Sequence, residues 1–287
     1  MEQHFRISAN ISALRGTAPV RFSHCKTYDR AKHHVLHINN YVEIYVYISG
    51  NHQYMVENFV YDLRRGDVVI INPLEVHKAL PMQEGEYERF YFLVDTNTFD
   101  EMAVNPLAQI LSAAVGSGNL ISFDDATRES FIGLLYAISD CLRDGQDDQV
   151  RAFGYFLQMM SEINRQLSKD RPSVGAITNT PILLEKILAF VAENTANIQS
   201  ISEIASAVGV TPQYLSGYFS KHIGTPLKTY IQAKKIALSK ELLDKGADVT
   251  EACYECGFND CSYFIRVFKK YVGVTPLAYK MRKSESK

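Results

Sequence analysis

The sequence predicts an α+β protein with more than one domain, in which a β-rich N-terminal part precedes an all-α C-terminal part. Two observations support this prediction. Over the first ~95 residues, short runs rich in β-branched and aromatic residues alternate with turn signals. From about residue 128 onward, apolar residues recur at i, i+3, i+4 and i+7, which is the spacing of a helix.

The strand-rich part spans residues 1–100. YVEIYVYISG (41–50) ends at a Gly-Asn turn signal, and NHQYMVENFVYDL (51–63) follows it. RRGDVVIINP (64–73) contains a Gly-Asp turn and closes at a proline, and YERFYFLVD (87–95) is a further strand run. Short strands separated by turns predict a β-sandwich or a small β-barrel.

Two helical runs occupy residues 101–169, at 128–144 and 150–169. Only the residues around Asp144–Gln146 separate them, so they predict an αα-hairpin. DRPSVGAITNT (170–180) has no periodicity and is typical of a linker. Residues 181–287 are then a separate helical domain.

Composition and charge limit the class of protein. The 287 residues are 46% hydrophobic and 22% charged, which is ordinary for a globular protein. We find no apolar run of the ~18 residues that span a bilayer, and no signal peptide. Five cysteines, unevenly spaced, do not predict a disulfide framework. We therefore expect a cytoplasmic protein with reduced thiols and no membrane association.

The net charge of −2 is distributed unevenly. Residues 181–287 carry 14 Lys and Arg against 10 Asp and Glu, so the C-terminal part is mildly basic and the rest is acidic. This balance is compatible with nucleic-acid binding, but it is a weak signal by itself.

Residues 201–227 and 249–277 form an internal repeat. Glu203 matches Glu251 and Gly209 matches Gly257, both at an offset of 48 residues. The Thr-Pro-Leu at 225–227 recurs at an offset of 50. Two copies are too few for a solenoid, so the repeat predicts two similar small units.

Each unit has the pattern of a helix-turn-helix. A short helix is predicted to begin at a Ser or Thr cap, Ser202 or Thr250, with a Glu in its first turn. It ends at Gly209 or Gly257, because glycine adopts the positive φ that a sharp turn needs. A second helix packs on the first by one apolar stripe, and its opposite face is free to enter the DNA major groove.

CYECGFNDCSYF (253–264) contains three of the five cysteines. Its C-x-x-C spacing leaves open a metal site or a redox pair. The repeat instead places Cys253 opposite Ala205 and Cys256 near Val208, which predicts core positions filled by small hydrophobes. Cys261 falls at the entrance of the second helix, and a zinc site would lack a fourth ligand, since no histidine follows residue 222.

A longer motif runs through the second unit. It consists of Cys253 in a place usually held by alanine, Gly257-Phe258, Ser262-Tyr263-Phe264, Arg266, Phe268-Lys269-Lys270, Gly273 and Thr275-Pro276. With these residues, the stretch from Pro181 to Arg282 resembles the DNA-binding domain of AraC/XylS-type transcriptional regulators. The resemblance implies two helix-turn-helix units joined by a long helix, here residues 225–246, and double-stranded promoter DNA as the partner.

The resemblance also implies which side chains face DNA. In the first reading helix they are Gln213, Ser216, Gly217 and Ser220, and in the second they are Ser262, Ile265, Arg266 and Lys269. We expect Gln213 to read adenine and Arg266 to read guanine through bidentate hydrogen bonds. We expect Lys221, Lys269 and Lys270 to contact phosphates.

The front part resembles, more weakly, the cupin-like effector domain that often precedes this module. The matching residues are Glu43-Ile44-Tyr45 before Gly50, and Gly66-Asp67 leading to Ile71-Asn72-Pro73 and His77. The resemblance implies a pocket for a small-molecule effector such as a sugar. The residues we expect to line it are His37, Glu43, Tyr45, His77 and Phe92.

A metal-dependent cupin enzyme fused to a DNA-binding domain is the alternative. Metal-binding cupins present three histidines and a glutamate, and this chain offers His37, Glu43 and His77 with Asn39 in the remaining place. Because that set is incomplete, we expect no metal, no cofactor and no enzymatic activity. A purely structural role for the two histidines also stays open.

The resemblance to these regulators also implies further partners. Their helical hairpins commonly pair between subunits, which implies a homodimer that presents two DNA-binding domains to repeated half-sites. The common role in the family is activation, which implies contact with RNA polymerase.

Overall fold

The protein is described here from a computed structural model. It describes residues 5–12, 17–29, 36–39, 41–73, 75–112, 118–143, 148–169 and 181–284. Within these ranges the N-terminal part is built of antiparallel strands and the C-terminal part of helices, as the sequence predicts. The strands are β1 (Phe5–Ile11), β2 (Val20–Asp29), β3 (Tyr41–Ser49), β4 (His52–Val56), β5 (Phe59–Asp62), β6 (Val68–Ile71), β7 (His77–Pro81), β8 (Gly85–Asp95) and β9 (Leu120–Ile121).

The strands form two sheets. Sheet A has the order β1-β2-β8-β3-β6-β9, and sheet B has the order β5-β4-β7. An aromatic cluster joins them, with Tyr45 and Tyr87 from sheet A and Tyr54 and Tyr61 from sheet B. The two sheets therefore face each other across a tyrosine-rich interior.

The register of sheet A separates an apolar face from a polar one. Ile44 pairs with Phe92 and Tyr45 pairs with Tyr91 across β3 and β8. Because successive side chains point to opposite faces of a sheet, Phe92 lies on the face opposite Tyr45. The apolar face packs against the helical hairpin, where the rings of Phe92 and Phe156 lie 5.6 Å apart.

The hairpin consists of α2 (Asp125–Cys141) and α3 (Gln149–Lys169), preceded by the short α1 (Ala108–Leu111). α2 begins three residues before the predicted start because the Asp124 side chain accepts a hydrogen bond from the Thr127 backbone N–H and caps the helix. The predicted turn at 144–146 and the predicted linker at 170–180 lie outside the described residues.

The described residues of the C-terminal part form helices joined by short turns and loops. Its helices are α4 (Ile182–Asn194), α5 (Ile201–Val208), α6 (Pro212–Ile223), α7 (Leu227–Asp244), α8 (Val249–Glu255), α9 (Cys261–Val272) and α10 (Pro276–Ser284). The long α7 joins the two repeat units, close to the predicted 225–246.

The two parts share a core. Met55, Val60 and Leu80 of sheet B belong to the same buried cluster as Leu227 and Tyr230 of α7. Fully burying one such large apolar side chain contributes roughly 1.5–3 kcal/mol, so this shared cluster holds sheet B against the helical domain. None of the helices in the described ranges is long and apolar enough to cross a lipid bilayer.

Candidate DNA interface and effector cavity

The first unit pairs α5 with α6. Leu215 and Phe219 of α6 are fully buried against the rest of the domain. The opposite face of α6 carries the residues predicted to read DNA. Gln213, Gly217 and Lys221 are exposed there, and Ser216 and Ser220 are half-buried.

The second unit pairs α8 with α9, and its two faces differ more sharply. Phe264, Val267 and Phe268 are buried. All five predicted DNA contacts on α9 are exposed, namely Ser262, Ile265, Arg266, Lys269 and Lys270. α9 therefore presents a basic, solvent-facing surface that matches what a reading helix offers to the major groove.

The caps of the two units differ from the sequence-based expectation. The N-cap residues are Ser200 and Asp248, two positions before the predicted Ser202 and Thr250. Asp248 and Glu251 form a capping box, in which each side chain accepts a hydrogen bond from the other's backbone N–H. The predicted caps were wrong because the N-cap residue lies two positions earlier in each unit. Asp248 accepts hydrogen bonds from the first-turn N–H groups of its helix, whereas the Ser200 hydroxyl donates to the Glu203 carboxylate in the first turn.

The turn of the second unit requires glycine. Gly257 has φ +83°, and a Cβ atom placed on it would lie 1.9 Å from the backbone oxygen of Ala196. The buried Lys235 ammonium donates hydrogen bonds to the backbone oxygens of Gly257, at 2.6 Å, and Ile198, at 2.8 Å. Lys235 therefore fixes this turn against the loop that precedes α5.

The cysteines lie where the repeat placed them. Cys253 and Cys256 are fully buried in the core of the second unit. Burial raises the pKa of each thiol to about 12, so both stay protonated at neutral pH, and the thiolate that metal binding needs is disfavoured. Cys261 is half-buried at the first position of α9.

A cavity of about 420 Å³ lies between sheets A and B, within the usual range for small-molecule sites. Its wall includes the predicted His37, Glu43 and Tyr45. Among the described residues, the lining consists of Arg21, His37, Asn39, Tyr41, Glu43, Tyr45, Tyr54, Ala79, Tyr87, Arg89, Tyr91 and Leu93.

Two of the predicted cavity residues lie elsewhere. Phe92 is fully buried on the other face of sheet A, in contact with Phe156, so its prediction as a lining residue was wrong. His77 is buried behind Glu43, with 3.2 Å between its Nε2 atom and the carboxylate. His77 supports the cavity wall through Glu43 rather than facing the cavity.

The Glu43–His77 contact has the character of an ion pair. Burial alone would raise the pKa of Glu43 and lower that of His77, but their mutual attraction outweighs it and moves both pKa values the opposite way. Asn39 also donates to Glu43 at 3.1 Å. Across the described residues, no three His, Cys, Asp or Glu side chains are grouped so as to hold a metal ion.

Glu57 links sheet B to the DNA-binding part. It lies in the β4–β5 turn with φ +57° and is buried. One carboxylate oxygen accepts the Val76 backbone N–H at 2.7 Å, and the other pairs with the Lys234 ammonium of α7. The Tyr230 hydroxyl of α7 donates to the Glu57 backbone oxygen at 2.9 Å.

A second polar contact reaches the end of α6. Lys78 of β7 donates to the backbone oxygen of Gly224 at 3.0 Å and to the Thr225 hydroxyl at 2.9 Å. Gly224 is the C-cap of α6, so sheet B holds the end of that helix directly.

Comparison with known proteins agrees with this architecture. The chain matches an AraC-like ligand binding domain over residues 22–119 and a helix-turn-helix domain over residues 204–282. The HTH-type transcriptional regulator YbfI of Bacillus subtilis is 23% identical over 233 residues, which are 79% of this chain and 80% of YbfI. The HTH-type transcriptional activator AarP of Providencia stuartii is 30% identical over 100 residues, which are 34% of this chain and 74% of AarP. The chain belongs to the AraC family of transcriptional regulators.

A third relative shares the C-terminal part of this AraC-family chain. The melibiose operon regulatory protein of Escherichia coli is 31% identical over 98 residues, which are 34% of this chain and 32% of that protein.

Sequence reasoning missed much of the cavity wall of this AraC-family regulator. The missed residues include Tyr41, Tyr87, Arg89 and Tyr91. A signal for them exists, since polar and apolar residues alternate through YERFYFLVD, with Tyr87, Arg89 and Tyr91 on one parity and Phe90 and Phe92 on the other. Assigning any one of these three residues to the cavity face would have placed Phe92 on the opposite face of the strand and excluded it from the cavity lining.

Proposed function

We propose that this AraC-family regulator binds specific promoter DNA through α6 and α9 and is controlled by a small molecule held between sheets A and B. The observation that supports this proposal most strongly is the position of sheet B. Tyr54 and Ala79 line the cavity from one face of this sheet, while Glu57 and Lys78 contact the DNA-binding part. A ligand that moves sheet B therefore moves the surface on which α6 and α7 rest.

The coupling follows from the strand geometry. Lys78 and Ala79 are neighbours on β7, so their side chains point to opposite faces of the sheet. His77, on the same face of β7 as Ala79, supports the cavity wall from behind by pairing with Glu43. An effector acts only if it binds the docked and undocked arrangements of the two domains with different affinity. We expect this difference in affinity to arise at the cavity wall, because sheet B forms part of the wall and also contacts the DNA-binding part.

DNA reading is assigned to the exposed faces of the two helices. Gln213 would read adenine, Arg266 would read guanine, and Ser216, Gly217, Ser220, Ser262 and Ile265 would lie against the groove. Lys221, Lys269 and Lys270 would contact phosphates. This assignment is supported by the exposure of Gln213, Gly217 and Lys221 on α6 and of all five assigned residues on α9.

We assign this protein the role of an activator that acts in the cytoplasm through RNA polymerase and without enzymatic activity. The activator role is supported by the similarity to AarP, and a carbohydrate effector by the similarity to the melibiose operon regulator. Glu43 and His77 are paired with each other, which favours a structural role over catalysis.

We assign dimerisation to the helical hairpin. A groove of about 520 Å³ runs between α2 and α3 on its surface, lined by Leu134, Gln158 and Arg165 among others. Leu134→Arg would place a charge in this groove and should give a monomer in light scattering, whereas the exposed Gly133→Ser should leave the mass unchanged.

Genomic fragment enrichment tests the proposal. Sheared genomic DNA of the source organism is incubated with the full-length protein, and the retained fragments are sequenced. We expect a small set of enriched fragments upstream of genes, with a shared sequence. Uniform recovery of the genome would contradict sequence-specific regulation.

A further inference from the structure

The two helix-turn-helix units touch each other directly, in addition to being joined by α7. Gly257, in the turn between α8 and α9, lies so close to the loop before α5 that an added Cβ atom would be 1.9 Å from the Ala196 backbone oxygen. Next to this approach, the Asn259 side chain donates a hydrogen bond to the Gln199 side chain at 2.9 Å. The turn of the second unit therefore rests on the entry to the first unit.

Lys235, from the middle of α7, bridges this contact. The residue is 7% exposed, and its ammonium donates to the backbone oxygens of Gly257 at 2.6 Å and Ile198 at 2.8 Å. Within the described ranges it forms no ion pair with an acidic side chain. The ammonium is therefore committed to two backbone oxygens, one on each side of the contact. We call these five residues, Lys235, Gly257, Ile198, Asn259 and Gln199, the inter-unit clamp.

The clamp lies close to the start of α9. Asn259 is two residues before Cys261, where α9 begins. The residue between them, Asp260, caps the helix by accepting hydrogen bonds from the Ser262 and Tyr263 backbone N–H groups. A displacement of the clamp therefore displaces the beginning of the second reading helix.

The clamp reaches the first reading helix through α5. Gln199 is two residues before Ile201, where α5 begins. α5 leads into α6 through a tight turn at Gly209, in which the Val210 N–H donates to the Ala205 backbone oxygen at 2.9 Å. The orientation of α5 at the clamp is thus passed on to α6.

The clamp adds a directional constraint to the apolar core. Both units bury side chains in one cluster with α7. Apolar packing is non-directional, since it follows the area removed from water. A hydrogen bond weakens steeply when its donor and acceptor are misaligned, so the clamp holds one unit at a defined angle to the other.

We propose that Lys235 is a positioning residue for DNA reading, which fixes the distance and angle between α6 and α9 through the inter-unit clamp. This inference rests on the proposed reading of DNA by these two helices. Two binding elements held rigidly engage together only when the DNA presents both segments at a matching separation. The clamp thereby determines which spacing of the two segments the protein accepts.

The test measures how affinity depends on the spacing of the two DNA segments. A fragment from the genomic enrichment is trimmed to the segments that one chain protects, and a copy is made with two base pairs inserted between them. With ~10 base pairs in a turn of ~34 Å, this insertion moves one segment by about 7 Å and turns it by about 70°. Fluorescence anisotropy gives the spacing ratio, which is the affinity for the original fragment divided by that for the copy.

The spacing ratio separates positioning from stability. A loss of folded protein lowers both apparent affinities by the same factor and leaves their ratio unchanged. We expect a ratio of about 10 or more for the wild-type protein and about 3 or less for Lys235→Met, which keeps the apolar stem and removes the ammonium. Asn259→Ala, at an exposed position, should lower the ratio in the same direction.

Lys245→Met is the matched control, because Lys245 follows α7, is exposed and lies 3.9 Å from Glu241, away from the clamp. It should keep the wild-type ratio, and a ratio as low as that of Lys235→Met would overturn the proposal. A wild-type ratio in Lys235→Met would overturn it too, while leaving DNA reading by two helices intact. If Lys235→Met does not fold, a wild-type ratio in Asn259→Ala has the same consequence. A wild-type protein with a ratio near one would contradict joint reading by both helices, and the clamp with it.

Discussion

Lys234→Met removes the ammonium group that pairs with Glu57 across the domain interface. The Glu57 side chain is 5% exposed and that of Lys234 is 13% exposed, so the carboxylate would stay buried without its partner. Removing one member of a buried pair costs ~3–5 kcal/mol of stability. Because Lys234 also lines an open surface pocket, solvent reaches the pair, and we expect the low end, about 3 kcal/mol.

A double-mutant cycle isolates the pair. Lys234→Met, Glu57→Gln and the double variant are unfolded in urea and followed by circular dichroism. The Glu57 carboxylate keeps its bond from the Val76 N–H in the Lys234 variant, so only the charge interaction is lost. We expect a coupling energy of about 2 kcal/mol, within the range measured for contacting residues.

The exposed Arg143–Asp140 pair is the matched control cycle, with both side chains more than half exposed and 3.1 Å between the charged atoms. Exposed pairs of this kind contribute ~0.2–1 kcal/mol. A Glu57–Lys234 coupling no larger than the control would refute the view that this contact holds sheet B to α7.

Three further predictions concern single sites. Lys269→Ala should reduce the slope of log affinity against log salt concentration by about 1, because one phosphate contact is lost. An unchanged slope would show that Lys269 makes no phosphate contact. Glu43→Gln should lower the pKa of His77, because burial is then opposed only by the hydrogen bond and charge of Glu75. In the wild type the pair's stabilisation is complete between pH 4.5 and 6.5, and it is lost as pH rises through the raised pKa of His77 or falls through the lowered pKa of Glu43. NMR titration of His77 checks the pKa, and a value unchanged by the substitution would contradict the ion pair. Gly257→Ala should destabilise the chain more than Gly209→Ala in thermal unfolding, since both glycines have positive φ but only the first has backbone 1.9 Å from the added Cβ, and equal losses would disprove the steric argument.

Local patterns predicted the helices of the two helix-turn-helix units well. The glycine-terminated first helix and the apolar stripe at Leu215 and Phe219, or Phe264 and Phe268, are properties of adjacent residues in the chain. The same locality explains why the repeat placed Cys253 in the core: burial on a short amphipathic helix depends on spacing alone.

The cavity required information that local patterns do not carry. Alternation along β8 separates Arg89 from Phe92, but which face meets the other sheet depends on strand pairing over long sequence distances. Phe92 was assigned to the wrong face for this reason.

The contact between the two domains could not be predicted from local sequence patterns either. Glu57 and Lys78 are charged residues in short strands and turns, which a sequence suggests are solvated. They are buried here because α6 and α7 supply their partners, and those partners lie more than 140 residues away in the chain.

Hydroxyl-radical footprinting of an enriched DNA fragment tests the central claim most directly, that two helices of one chain read successive major-groove segments. The full-length protein should protect two segments on one face of the duplex, about one helical turn or 10 base pairs apart. Gln213→Ala should relax base preference in one segment, and Arg266→Ala should do so in the other at a cost of ~1–3 kcal/mol. A single protected segment, or two variants that change the same base positions, would contradict reading by both helices.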